Sequence, residues 1–79
     1  MNQLERKTWI LETLSASDFE SIQDAYHVVG GEYQSLEVMP FGLRTLPNHI
    51  RDDYDAGRIS GAKSIELLVD AVQRIPDEV

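Results

Sequence analysis

The chain has 79 residues, 14 of them acidic and 7 basic, giving a formal net charge of −7. No block of Lys and Arg is present to meet phosphates, so direct binding of nucleic acid or an anionic membrane is disfavoured, whereas a basic protein partner is suited. The absence of cysteine excludes disulfides, thiolate zinc sites and a cysteine nucleophile.

Residues 4–14 place Leu4, Ile10, Leu11 and Leu14 within an arc of about 120°, which predicts a first helix with those four toward the core. Lys7 falls inside that stripe, where only its stem can be buried. Trp9 lies about 100° outside it. Ser15-Ala16-Ser17 followed by Asp18 and Glu20 offers hydroxyl caps and acidic first-turn residues, predicting a second helix from near Ser17 over about 18–29. Its core face is Phe19, Ile22, Ala25, Tyr26 and Val29, and Gly30-Gly31 is expected to end it.

Residues 32–44 read as an irregular connector. Leu36 and Val38 alternate with polar neighbours as in a short strand, and Pro40 and Gly42 interrupt any longer element. Thr45 and Pro47 mark the start of a third helix over about 46–56, with Leu43, Leu46, Ile50 and Tyr54 on one side. Gly57 suits a left-handed position after it, Ile59 can pack across the turn, and Ser60 can cap a fourth helix over about 61–75. Ile65, Leu68, Val69, Ala71, Val72 and Ile75 give that helix the broadest apolar face, and Pro76 stops it. The expected fold class is therefore all-α, one domain spanning 1–79 and built as a bundle of about four short helices with an irregular, at most briefly extended, connector at 32–44. A chain of this length buries only about 60–65% of its unfolded surface, so a partner or a second copy would add useful stability. Its longest apolar runs are far below the roughly 20 residues that span a bilayer, and its first residues do not resemble an export signal, so a cytoplasmic location is expected.

Three passages resemble known motifs. Gly57, Ile59 and Ser60 resemble positions 6, 8 and 9 of an EF-hand calcium loop running over 52–63. Tyr54, Ala56 and Lys63 stand where that loop needs oxygen ligands, and no metal is expected to bind. Residues 54–60, with Lys63, Ser64, Glu66, Leu67 and Leu68 after them, resemble a helix–Gly–Ile–Ser–helix passage of small bacterial antitoxins. Neither a recognition helix nor the Ser/Thr-x-x-x-Glu-Gly/Asn inhibitory segment of the Fic-inhibiting members is found. Length, acidity and Ser35 resemble an acyl carrier protein, whose modified serine opens its second helix in Asp-Ser-Leu. Here Gln34-Ser35-Leu36 replaces that motif, and Pro40 and Gly42 fall where the carrier's helix must continue.

His27 and His49 are the only histidines, and no metal-ligating or nucleophile–base spacing selects a catalytic site. The expectation is a non-enzymatic binding protein without a cofactor, its acidic surface engaging a basic site on a partner as an antitoxin, immunity protein or phage-type inhibitor would. The candidate contact residues are Asp52, Asp53 and Asp55, with the aromatics Trp9 and Phe41. The alternatives are a carrier modified at Ser35 and a structural or regulatory homodimer.

Overall fold

A computed structural model describes all 79 residues as four helices with no strand. They are α1 (Gln3–Ala16), α2 (Ile22–Gln34), α3 (Leu46–Asp55) and α4 (Gly61–Gln73). Helices make up 63% of the chain, as an all-α bundle requires. α2 and α4 pack together, and each also packs against both α1 and α3, which do not touch one another. The core of 13 buried apolar side chains draws on all four helices and on Leu36 and Leu43 of the connector.

α1 opens on a reciprocal cap. The Asn2 side chain accepts from the Glu5 N–H at 2.8 Å, and the Glu5 carboxylate accepts from the Asn2 N–H at 3.2 Å. Its buried face is Gln3, Ile10 and Leu14, rotated away from the expected stripe, and Leu4 is 48% exposed instead of buried. The cause is polar. The Gln3 Nε2 donates to the Val38 and Pro76 carbonyl oxygens at 2.8 and 3.1 Å, and its Oε1 accepts from the Glu37 N–H at 2.9 Å. One buried carboxamide thus joins α1, the connector and the segment after α4, satisfying three backbone groups. Lys7 lies half-buried, and its ammonium donates to the Ile75 carbonyl oxygen and the Asp77 carboxylate, both at 2.7 Å.

α2 begins four residues later than the serines near 17 indicate, and Phe19 lies half-buried before it. Its first turn is capped from another helix. Ser64 of α4, fully buried, accepts from the Ile22 N–H at 2.9 Å and donates to the Gly61 carbonyl oxygen at 2.6 Å. Nor does α2 stop at Gly30-Gly31, because Tyr33 and Leu36 beyond them are core residues. Gly30 makes room for the Tyr26 ring, which a Cβ would meet at 2.7 Å, and that ring meets Tyr33 edge to face at 5.9 Å. The Tyr33 hydroxyl donates to the Leu43 carbonyl oxygen. Burial, followed by the neighbouring Tyr26 hydroxyl, pushes its pKa up to about 12.

The connector left between α2 and α3 is Ser35–Thr45, shorter than expected and without a strand at Leu36 or Val38. The junction between α3 and α4 forms as the sequence indicates. Gly57 takes φ +75°, the Gly57 N–H donates to the Tyr54 carbonyl oxygen and the Arg58 N–H to that of Asp53. Ser60 then accepts from the Lys63 N–H at 3.0 Å and opens α4.

Candidate functional site

The carboxylates Asp52, Asp53 and Asp55 occupy the last turn of α3, where the negative end of the helix dipole adds to their charge. Two are offset locally. Asp53 accepts from the Arg58 Nε at 2.8 Å, and Asp55 lies 3.5 Å from the Arg51 Nε one turn earlier. Asp52 is exposed and takes part in no ion pair. The cluster as placed is thus one free carboxylate beside two exposed ion pairs, each worth at most about 1 kcal/mol.

Phe41 is on the tip of the Ser35–Thr45 connector and wholly exposed. It precedes α3, and from the start of that helix at Leu46 to the carboxylates is a further stretch of about 9–14 Å or two turns. Trp9 lies on the outer side of α1, on an element that does not touch α3. The three parts of the expected surface are therefore spread over the molecule.

Trp9 has surroundings of its own. It is 36% exposed, with Glu5 one turn before it and Glu12 one turn after it, both exposed on the same outward side. Glu12 is in no ion pair. Beside this face Arg6 reaches across to Glu32 of α2 at 2.9 Å. That contact joins the first turns of α1 to the last turn of α2. Val28, 47% exposed, lies one turn along α2 from Glu32 and Trp9 one turn along α1 from Arg6, so each is one turn from that ion pair. An aromatic and an aliphatic side chain bordered by carboxylates can anchor a partner's apolar group while drawing in its cations. The flanking glutamates were legible in the sequence at i−4 and i+3 from Trp9. Val28 was not, because its neighbour belongs to another helix.

Ser35 ends α2 instead of opening a helix, and its hydroxyl donates to the Gly31 carbonyl oxygen at 2.8 Å. That differs from the carrier arrangement, in which the modified serine stands at a helix start. In the calcium-loop resemblance Asp53 serves Arg58 and Lys63 lies 3.3 Å from Glu66 within α4. The antitoxin-like passage forms the capped junction between α3 and α4. His27 and His49 are both exposed. No helix is long and apolar enough to cross a membrane. Comparison with known proteins finds no family model, no curated protein and no solved structure that matches the chain.

Proposed function

We propose that this chain is a non-enzymatic protein-binding module, of the inhibitor, antitoxin or immunity-protein kind, whose acidic surface engages a basic site on a partner protein. The observation that carries this reading is Trp9, the chain's single tryptophan, left on the surface of α1 between Glu5 and Glu12. An exposed tryptophan on a rigid helix supplies a large contact area at little entropic cost. The net charge of −7, to which unpaired Asp52 and Glu12 contribute, raises the encounter rate with a cationic surface. Once the partner's Lys or Arg side chains reach the rim, Trp9 and Val28 are covered from water and dissociation slows.

The test begins with a pull-down from native lysate and proceeds to binding kinetics with the recovered partner. Trp9→Ala is expected to raise the dissociation rate by about tenfold or more. Glu12→Gln, and the joint replacement of Asp52, Asp53 and Asp55 by Asn, should slow association chiefly at low ionic strength. Kinetics untouched by all of these variants would rule the acidic surface out as the binding site.

A further inference from the structure

The 14 carboxylates are unevenly distributed, and two adjoining grooves have none on their walls. The first, of about 660 Å³, lies between the Ser35–Thr45 connector and α3, with Phe41, Pro40, Arg44 and His49 on its border. The second, of about 570 Å³, lies between α2 and α3 and is bordered by Tyr26, His27, Gln34 and Arg51. They meet where the Gln34 Nε2 donates to the Arg44 carbonyl oxygen at 3.1 Å and the Arg44 guanidinium donates back to the Gln34 carbonyl oxygen at 3.0 Å. Together they form one track whose only charged or titratable side chains besides Tyr26 are two arginines and both histidines of the chain.

The fold leaves cations open at this end of the bundle. Of the seven Lys and Arg side chains, Arg44 and Arg74 alone pair with no carboxylate. α3 and α4 are joined by a short turn and pack together, so Arg74, at the end of α4, stands at the same end as the start of α3. Both guanidinium groups act on the Tyr33 hydroxyl, opposing the rise that burial gives its pKa. Arg44 is held in place by the Gln34 and Leu36 carbonyl oxygens at 3.0 and 3.1 Å, which leave its charge unneutralised and part of its donor fork free. The neighbouring turn is braced as well: Gly42 takes φ +87°, the Leu43 N–H donates to the Pro40 carbonyl oxygen, and the Tyr33 hydroxyl reaches the Leu43 carbonyl oxygen. Phe41, the most exposed of the large apolar side chains, is therefore held in water on a rigid mount beside a fixed cation, and little ordering remains when both are covered.

We propose that this track docks an extended acidic segment of a partner protein, with an apolar side chain of the segment against Phe41 and a carboxylate on Arg44. Charge complementarity selects the occupant. A basic segment of the kind drawn to Trp9 would meet Arg44 with no carboxylate to offset it, and a second copy of the chain would set like charge against like. An anionic bilayer faces a whole side of the molecule, whose net charge of −7 it repels. A single segment meets only the track, and screening over about 8–10 Å weakens the carboxylates elsewhere on a body 36 Å long. A free anion such as phosphate would cover neither Phe41 nor the second groove. The contact is smaller than the standard of about 800 Å² per partner, so dissociation constants of roughly 10 µM to 1 mM are expected.

Amide NMR of the isotope-labelled full chain, titrated with the blocked peptide Glu-Leu-Glu-Phe-Glu-Leu-Glu, tests this independently of the partner-binding reading. Shifts are expected at Gln34 and over residues 39–51, with affinity falling several-fold as salt rises from about 10 to 300 mM. Phe41→Ala should weaken binding by about tenfold with unchanged circular dichroism, since Phe41 lies outside the core. Arg44→Gln should weaken it by about fivefold or more, and Arg44→Lys, which keeps the charge, by less. Trp9→Ala should leave it unchanged, so failure of this proposal is visible apart from failure of the acidic-surface reading. Shifts confined to other faces, or indifference to both Phe41→Ala and Arg44→Gln, would overturn the proposal. So would equal shifts at these residues from the same peptide with Gln or Lys in place of Glu. Displacement of the peptide by about 10 mM inorganic phosphate at constant ionic strength would mark a bare anion site instead. Co-sedimentation with phosphatidylserine vesicles that Phe41→Ala abolishes would give the face to a membrane.

Discussion

Gln3→Ala removes a side chain that ordinary amphipathic reasoning places outside the core, and its cost can be worked from the contacts. The variant leaves the Glu37 N–H and the Val38 and Pro76 carbonyl groups without their partner. Each lost hydrogen bond is worth about 0.5–1.5 kcal/mol net, and more where water cannot replace it. The site lies at the rim, where water can enter once the carboxamide is gone, so a total of about 2–3 kcal/mol is expected. Against an overall stability of about 4–12 kcal/mol for 79 residues, that is a large share. Leu4→Ala is the control. The apolar stripe makes Leu4 a core residue, but it is 48% exposed, so its truncation should cost about 1 kcal/mol or less. Urea melts followed by far-UV circular dichroism measure both, with a constant slope confirming that the unfolded state has not changed. Hydrogen exchange at the Glu37 amide should also quicken in Gln3→Ala. A Leu4→Ala cost equal to or above that of Gln3→Ala would show that α1 packs by its apolar stripe and not through Gln3.

Three further outcomes follow from the packing. Leu68→Ala, at a fully buried position, should cost about 2–5 kcal/mol in urea melts, and a value below about 0.5 would take Leu68 out of the core. Gly31→Ala should stabilise by about 0.5–1 kcal/mol, because a Cβ there meets nothing within 4 Å inside a helix, whereas Gly61→Ala should destabilise, its Cβ falling 2.0 Å from the Glu20 carbonyl oxygen. Because Tyr33 keeps its proton up to about pH 12 when folded and loses it near 10 when unfolded, the stability it contributes is whole below pH 10 and lost as pH rises to 12. The slope should approach about 1.4 kcal/mol per pH unit, and its persistence in Tyr33→Phe would assign it to other groups.

Local chemistry determined much of this fold. Four helices, the core face of α4, Ile50 on the buried side of α3, the left-handed Gly57 and the Ser60 cap were all readable, because each depends on residues within a few positions of one another, whereas Tyr54 is only partly buried and Pro47 takes a buried place on α3. The candidate surface was readable only as residue types: nothing local says that Phe41, Trp9 and the α3 carboxylates fall on separate parts of the bundle, since that depends on how the helices pack. The elements misread share one cause. The start of α2 is set by Ser64, 42 residues on, its passage through Gly30-Gly31 by the burial of Tyr33 and Leu36, and the rotation of α1 by the bonds of Gln3 to Glu37, Val38 and Pro76. Periodicity counts apolar residues along one helix. A buried polar side chain is placed by backbone groups it must satisfy elsewhere, and those groups come within reach only when the tertiary structure forms.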